Sequence, residues 1–245
     1  MSTAVAPPPR SVVCLSGGMD SCVTAAIAAR DTEAYALHFS YGQRTEAREL
    51  TAAREVAAQL RMSDFLNLRI DLFRHIGGSA LTDSAIPVPD AEAGFGQTAS
   101  SASTGNIPIT YVPFRNAHFL SAAVSWAEVL GATRIYIGAV EQDSSGYPDC
   151  RPAYYEAFQQ LIDTGTRTGT REGRIQVLTP LITMSKAGIV RLGLESNAPL
   201  DLTWSCYREE QEACGACESC VLRLRAFAAA GVTDPIPYAP RATGS

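Results

Sequence analysis

The sequence predicts an α/β protein with a Rossmann-like, doubly wound parallel sheet and a small zinc-binding appendage at its C-terminal end. Three observations support this fold class. Apolar strand-like segments alternate with helical segments, a glycine-rich turn joins the first strand to the first helix, and four of the seven cysteines crowd into fifteen residues. The alternation carries most of the prediction, because a strand that returns through a helix runs parallel to its predecessor.

Five segments have the composition of strands, and helical periodicity fills most of the chain between them. The predicted strands are 11–16, 33–39, 64–71, 134–140 and 174–181. The predicted helices are 19–30, 43–60, 116–130, 151–163 and 185–194. Ligands of such sheets bind beyond the C-terminal strand ends, so we expect the loop after the first strand to face the ligand.

The predicted organisation is one large domain with short flanking segments. Residues 1–10 contain three consecutive prolines and form a flexible lead-in, 11–199 form the α/β domain, 200–240 form the metal-binding region and 241–245 are a tail. Residues 77–107 interrupt the pattern, since they are rich in glycine, serine, alanine, threonine and proline. A stretch of this length without periodicity predicts a mobile cover of the active site or a disordered segment.

The composition narrows the function classes. The chain has 245 residues, 46% hydrophobic and 18% charged, with a net charge of −5, as is typical of a soluble globular protein. An acidic balance argues against a broad nucleic-acid-binding surface. No apolar run is long enough to span a bilayer, and the N-terminus lacks the apolar core of a signal peptide. We therefore expect a cytoplasmic protein with neither nucleic-acid nor membrane partners.

The loop after the first strand has the chemistry of a phosphate-binding turn. Glycines let the backbone approach an anion closely, and the first N–H groups of the following helix favour negative charge. Asp20 would repel a phosphate, so its presence predicts a Mg²⁺ ion between the two. No lysine follows as in a Walker loop. Alternatively, the glycines serve the turn geometry alone. The predicted nucleotide-binding residues are Cys14, Leu15, Ser16, Gly17, Gly18, Met19, Asp20 and Ser21.

The crowded cysteines have metal-ligand spacing. Cys206, Cys214, Cys217 and Cys220 form C-x7-C-x2-C-x2-C, which lets four thiolates converge on one ion. Four ligands without an open position predict a structural Zn²⁺, while spacing alone leaves an iron–sulfur cluster as the alternative. The remaining cysteines, Cys14, Cys22 and Cys150, are interpreted as core residues.

Several polar residues near predicted strand or helix ends are candidates for ligand contacts. Arg115 binds a phosphate or carboxylate in one interpretation and is a surface residue in the other, while Asn116 is predicted to cap the following helix. Asp143 and Asp149 follow the fourth strand and could accept hydrogen bonds from a guanine-like edge, although Asp149 could equally cap a helix. Lys186 could neutralise a phosphate or simply be solvated.

Taken together, these motifs resemble two nested families. The loop resembles the SGGxDS loop of the N-type ATP pyrophosphatases, also called the PP-loop superfamily, whose fold is adenine nucleotide alpha hydrolase-like. Over roughly 11–240 the chain resembles the 7-cyano-7-deazaguanine synthase family. The matching motifs are Ser16-Gly-Gly-Met-Asp-Ser21, Tyr41-Gly-Gln-Arg44, Val112-Pro-Phe-Arg-Asn116, Asp143 with Gly146-Tyr-Pro-Asp-Cys-Arg151, Pro180-Leu181 with Lys186, Ser205-Cys-Tyr207, and Cys214-Gly-x-Cys-x-x-Cys220. Met19 replaces a more usual leucine, and Phe114 stands where glycine is common.

The resemblance implies a ligase of queuosine biosynthesis. ATP would adenylate 7-carboxy-7-deazaguanine, ammonia would displace AMP to give an amide, and a second ATP would convert the amide to the nitrile preQ0. It implies catalytic roles for Asp20, Ser21, Arg115 and Lys186, and substrate contacts by Arg115, Asp143, Asp149 and Arg151. It also implies a homodimer, while the lack of a glutaminase domain favours free ammonia.

Three other functions fit parts of the sequence. A tRNA-modifying pyrophosphatase would share the loop, but it needs a basic surface. A zinc-stabilised nucleotide-binding module without catalysis would share the fold. A relative that stops at 7-amido-7-deazaguanine, or serves secondary metabolism or defence, would share the whole site.

Overall fold

The computed structural model describes residues 7–91, 107–141, 147–169 and 174–240. Residues 1–6 of the lead-in, residues 92–106 of the predicted insertion, Asp143 and the tail lie outside these described residues.

One parallel sheet forms the centre of the fold, in the strand order β3-β2-β1-β4-β5. The strands are β1 (Arg10–Cys14), β2 (Glu33–Ser40), β3 (Asp64–Arg69), β4 (Arg134–Ile137) and β5 (Gln176–Leu178). All five correspond to predicted strands, and the predicted fold class is confirmed. The predicted first, third, fourth and fifth strands extend further along the chain than the observed ones.

Seven helices are present among the described residues. They are α1 (Met19–Asp31), α2 (Glu46–Gln59), α3 (Leu72–Ile76), α4 (Arg115–Leu130), α5 (Pro152–Gly165), α6 (Lys186–Glu195) and α7 (Glu218–Ala230). Five match predicted helices within a few residues. The short α3 and the longer α7 were not predicted. Among the apolar residues of α7 are four alanines and one of the clustered cysteines, Cys220, so its helical periodicity is weak. None of the described helices is long and apolar enough to cross a membrane.

Alternate residues of β1 supply the cores on the two faces of the sheet. Val12 and Cys14 pack with side chains of α4 and α5, such as Leu120 and Phe158. Val13 and Leu15 pack on the other face with side chains of α1 and α2. This alternation follows from the two-residue period of a strand, and it produces the doubly wound architecture.

The strand order places a topological switch beside β1. From β1 the chain moves to β2 on one side, whereas β4 lies on the other side. Helices on opposite faces leave a crevice at such a point, beyond the C-terminal ends of the two central strands. The loop that starts at Leu15 therefore begins at the crevice.

The described part of the predicted insertion, residues 77–91, is irregular but firmly held. Arg44 donates from its Nε to the Ala80 carbonyl at 2.7 Å and from Nη2 to the Ile86 carbonyl at 2.6 Å. Arg208 donates to the Asp90 carboxylate and to the Val88 carbonyl, both at 2.6 Å. These bonds fasten the segment to the turn before α2 and to the cysteine region.

The C-terminal region shares apolar cores with the rest of the fold. Phe227 of α7 packs with Met19 and Val23 of α1 and with Ile189 of α6. A further cluster joins Trp204 and three of the clustered cysteines to Ala52 of α2. The region beyond residue 200 is thus packed directly against the helices that flank the crevice.

Candidate active site

A cleft of about 310 Å³ lies at the C-terminal ends of β1 and β4. Residues 14–16 and 18–21 line one wall, and residues 137–140 line the neighbouring strand end. Arg115, Lys186 and Trp204 approach from helices and from the C-terminal region. The structure therefore brings most of the predicted nucleotide-binding loop and two predicted catalytic cations to one cleft.

The loop is organised by hydrogen bonds among its own polar groups. Ser21 Oγ donates to the Gly18 carbonyl at 2.9 Å and lies 3.0 Å from Ser16 Oγ. The N–H of Gly18 donates to Ser16 Oγ at 3.3 Å. Helix α1 begins directly afterwards, with Gly18 as its N-cap and no side-chain cap. The two hydroxyls are thereby gathered at a positive helix end, where an anion is favoured.

Glycine occupies the two positions of the loop for different physical reasons. Gly17 has a φ of +91°, and a Cβ there would overlap the carbonyl oxygen of Glu49 in α2. Gly18 has an ordinary φ of −79° and lines the cleft. A Cβ at Gly138 would lie 2.9 Å from the backbone of Asp20, so the end of β4 also packs tightly on the start of α1.

Asp20 and Lys186 form an ion pair in the cleft. Lys186 Nζ lies 2.6 Å from Asp20 Oδ2, and the two side chains are 18% and 26% exposed. Asp20 Oδ1 is buried and has no hydrogen-bond partner among the described residues. A buried carboxylate oxygen without a donor is the group that a divalent cation would satisfy. This observation fits the predicted Mg²⁺ site.

Arg115 stands at the first position of α4 with its guanidinium between aromatic rings. Its Nη1 donates to Tyr41 Oη at 3.2 Å, and its charge lies 5.6 Å from the ring centre of Phe119. Its Nε is buried without a partner among the described residues. The guanidinium is therefore positioned in the cleft with a donor left over for an anion.

Asp149 lies in the short turn Pro148–Cys150 and contacts the first turn of α4. Its Oδ2 accepts from the backbone N–H of Asn116 at 3.4 Å, and burial raises the pKa of its carboxyl. The N-cap of α5 is Arg151, which makes no capping hydrogen bond with its side chain, so the predicted alternative that Asp149 caps this helix is wrong. Asn116 lies within the first turn of α4, so its predicted role as N-cap is wrong. Its amide instead donates to the Asp149 carbonyl at 3.2 Å.

Three predicted substrate contacts do not line the cleft in the described structure. Asp149 is buried and is absent from the cleft lining. Arg151 is exposed and is absent from the cleft lining, while Asp143 lies outside the described residues. The cysteines outside the cluster are buried, and burial raises the pKa of Cys14 and Cys22 to about 12 and that of Cys150 to about 11. They are protonated at neutral pH, as expected of core residues.

Sequence reasoning missed the polar wall that follows β2. Tyr41, Gln43, Thr45 and Glu49 all line the cleft. Gln43 Nε2 donates to the Phe39 carbonyl at 3.2 Å. The signal was available, because the motif Tyr41-Gly-Gln-Arg44 follows a C-terminal strand end, where ligands of this fold bind.

The four clustered cysteines converge, as their spacing predicts. Their sulfur atoms lie within 4.8 Å of one another, and Cys206, Cys217 and Cys220 are almost fully buried. Cys206 Sγ accepts from three backbone N–H groups, each at 3.4 Å. Such donors stabilise negative charge on a thiolate, so the residues fit a bound metal ion.

A buried ion pair fastens the chain that follows the cysteines. Arg223 of α7 and Asp234 are both 2% exposed and meet in two hydrogen bonds of 2.8 and 3.0 Å. Arg223 also donates to Thr203 Oγ1 at 2.7 Å, and Tyr238 Oη donates to Asp234 at 2.6 Å. Because its partners satisfy most of its donors, Arg223 is a structural residue at the edge of the cleft.

Comparison with known proteins identifies the class to which this fold and site belong. The family model described as queuosine biosynthesis protein QueC matches residues 10–231. The chain belongs to this family, which is a family of enzymes.

Full-length relatives carry one name. The 7-cyano-7-deazaguanine synthase of Acidobacterium capsulatum is 71% identical over 95% of this chain and 97% of that protein. The synthase of Koribacter versatilis is 58% identical over 96% of this chain and 95% of its own length. Among solved structures, the U34-tRNA thiolase NcsA from Methanococcus maripaludis is similar at a TM-score of 0.46, with 10% identity over 86% of this chain and 62% of that chain.

Proposed function

We propose that the protein is a ligase that makes 7-cyano-7-deazaguanine from 7-carboxy-7-deazaguanine, ammonia and ATP in queuosine biosynthesis. The observation that carries this proposal is the cleft at the switch point, where the Ser16–Ser21 loop faces Arg115. Membership of the QueC family and 71% identity to a protein named 7-cyano-7-deazaguanine synthase support it.

The reaction needs two activations, because a carboxylate oxygen and an amide oxygen are both poor leaving groups. A carboxylate oxygen attacks the α-phosphorus of ATP, pyrophosphate leaves, and ammonia then replaces AMP to form the amide. In the second round the amide oxygen attacks another ATP. Loss of AMP and the remaining N–H protons leaves the nitrile. The protein's contribution is to position the reactants and to neutralise charge.

The loop residues have assigned roles in this proposal. The serine hydroxyls and the N-terminus of α1 bind the pyrophosphate portion of ATP. Asp20 would hold a Mg²⁺ ion, which would neutralise phosphate charge as a Lewis acid. Lys186 holds Asp20 in place and adds positive charge beside the phosphates.

The opposite wall binds the substrate. Arg115 presents its spare donor to the substrate carboxylate or to the α-phosphate. Asp149 and Asp143 are assigned to the deazaguanine edge, with Arg151 as a further contact. In the structure Asp149 is buried against the first turn of α4 and Arg151 is exposed, so both assignments are proposals that mutation must test.

The cysteine cluster is proposed to hold a structural Zn²⁺ rather than an iron–sulfur cluster. Four sulfur ligands leave no position for a substrate, which is typical of structural zinc. We further propose a cytoplasmic homodimer that uses free ammonia and binds no nucleic acid. Sedimentation velocity tests the dimer, and an electrophoretic shift assay with bulk tRNA, where no shift is expected, tests the last point.

Mass spectrometry of the reaction products tests the function. The zinc-loaded protein is incubated with 7-carboxy-7-deazaguanine, ATP, Mg²⁺ and ammonium. We expect the nitrile together with AMP and pyrophosphate. An amide end point would favour the alternative ligase that stops at 7-amido-7-deazaguanine. Absence of AMP with active, folded protein would overturn the proposal.

A further inference from the structure

Glu49 is a carboxylate of the cleft that the roles above leave unused. It lies in α2, lines the cleft, and its backbone carbonyl packs against Gly17 of the loop. Its Oε2 accepts from Gln43 Nε2 at 3.1 Å, and its Oε1 lies 2.9 Å from Thr45 Oγ1. The side chain is therefore fixed in position beside the loop to which ATP is assigned.

The hydrogen bonds around Glu49 can accommodate a proton on its carboxyl group. Thr45 Oγ1 also lies 3.1 Å from the Cys206 carbonyl oxygen. A hydroxyl donates only one hydrogen, so with Glu49 ionised Thr45 can serve only one of these two oxygens. With a proton on Oε1, Glu49 donates to Thr45 and Thr45 donates to Cys206. Both protonation states thus find hydrogen-bond partners without movement of the chain.

Burial, opposed by hydrogen bonds and a nearby cation, places the proton affinity of Glu49 in the working range of an enzyme. Burial raises the pKa of Glu49 to about 7, against the hydrogen bonds from Thr45 and Gln43 and the charge of Arg115. Glu46 on the same helix raises that pKa further. Tyr41 also faces this group: burial and the charge of Glu49 both raise the pKa of its hydroxyl. A carboxyl with a pKa near neutrality is suited to taking up a proton during a reaction.

We propose that Glu49 accepts the proton that ammonia loses when it attacks the adenylated carboxyl carbon. The inference rests on the proposed function. In this step the ammonia nitrogen forms a bond to the carbonyl carbon, and the bond from that carbon to the AMP oxygen breaks with its electrons on AMP. One N–H proton passes to a Glu49 oxygen, so the neutral amide remains. A later exchange with solvent restores the carboxylate.

The test separates the adenylation half-reaction from the ammonia step. Exchange of labelled pyrophosphate into ATP, dependent on 7-carboxy-7-deazaguanine and without ammonia, reports adenylation. Amide and nitrile formation with ammonium report the later steps. For Glu49→Gln we expect exchange within about threefold of the unmodified protein and product formation reduced at least 100-fold, as for loss of a general base. Glu55→Gln, an exposed glutamate on the same helix, is the matched control and should match the unmodified protein in both assays.

The outcomes of these assays distinguish the role of Glu49 from the proposed function of the protein. Equal losses of exchange and product in Glu49→Gln would make Glu49 a binding or structural residue and overturn the inference. Full product formation in that variant would also overturn it. Absence of substrate-dependent exchange in the unmodified protein would instead contradict the proposed function.

The pH profile provides a readout that does not depend on how well the variant folds. Glu49 must be ionised to accept a proton, so the rate per free ammonia should rise as the pH passes about 7 and then level off. Glu49→Gln should lack this rise, and Glu49→Asp should restore it in part. A profile in the unmodified protein that is flat between about pH 6 and 8, at constant free ammonia, would overturn the inference.

Discussion

The loop at the end of β1 and the cysteine cluster both gather polar atoms around a point, but they treat those atoms differently. In the loop, Ser16 is exposed, Asp20 and Lys186 are partly exposed, and one Asp20 oxygen has no donor among the described residues. In the cluster, three of the four cysteines are almost fully buried and Cys206 has three N–H donors. The arrangement of the loop suits a ligand that binds and dissociates in each reaction cycle, and the arrangement of the cluster suits a permanently bound ion.

The two regions are mechanically connected. Trp204 precedes Cys206 by two residues, and its backbone N–H donates to the Gly17 carbonyl at 2.8 Å. Thr45 Oγ1 approaches the Cys206 carbonyl at 3.1 Å. The cysteine region therefore supports one wall of the cleft. Variants in the cluster should affect both stability and activity, whereas variants in the loop should affect activity alone.

The largest effect is expected for Cys217→Ser. Loss of one of four thiolates weakens metal binding, and a structural site contributes its binding free energy to folding. We expect less than one tenth of the normal metal content and a loss of at least about 4 kcal/mol in the free energy of unfolding. Elemental analysis and urea denaturation measure the two quantities.

Cys22→Ser is the control for this prediction. Cys22 is also a buried cysteine, but it lies in α1 outside the cluster. It should retain full metal content and lose only about 1 kcal/mol. Full metal content and stability in Cys217→Ser would show that the cluster is not a metal centre.

Asp20→Asn should have the next largest effect, and on activity alone. Asparagine keeps the shape but removes the charge that holds the cation, so we expect product formation to fall about 1,000-fold. The ion pair with Lys186 is partly exposed, so the melting temperature should change little. Asp31→Asn at the other end of α1, in an exposed pair with Arg30, should leave activity unchanged. Equal activity of the two variants would contradict the cation role.

Asp234→Asn asks whether the metal alone stabilises the C-terminal region. It leaves Arg223 buried with an uncompensated charge, which costs about 3–5 kcal/mol. Metal content should remain normal, and urea denaturation should show the loss of stability. Loss of less than about 1 kcal/mol, as for the exposed pair of Asp31, would mean that the metal centre carries the stability of this region.

How much of these two regions the sequence could predict depends on how local each is. Residues 14–21 are contiguous, so a strand, a turn and a helix determine their geometry. The cysteines after Cys206 are separated by two residues, so a single turn brings them together. The polar wall after β2 and the Arg223–Asp234 pair depend on side chains from non-repetitive loops, at 41–45 and after the end of α7, and hydrophobic periodicity carries no information about such contacts. The capping interpretations of Asn116 and Asp149 failed for the same reason, since a tertiary contact between them replaces the local caps.

The smallest expected effect is that of Phe114→Gly on the free energy of unfolding. Phe114, where glycine is common in that family, has a φ of +56° and a 60% exposed side chain. Phe114→Gly should relieve the left-handed strain, which is partly offset by the greater backbone freedom of unfolded glycine, for a net gain of about 0.5 kcal/mol. Phe114→Ala keeps the strain and should show no gain. Thermal denaturation compares the two, and an equal change in both would assign the effect to the ring.

The central claim is that the protein activates a carboxylate in its cleft by adenylation. Transfer of oxygen from the substrate to AMP tests this claim most directly. The substrate is labelled with ¹⁸O in its carboxylate, and the AMP produced with ATP, Mg²⁺ and ammonium is analysed by mass spectrometry. The account predicts ¹⁸O in the phosphate of AMP, because the carboxylate oxygen leaves with that phosphate. Unlabelled AMP, with the label retained in the product or released to water, would contradict it.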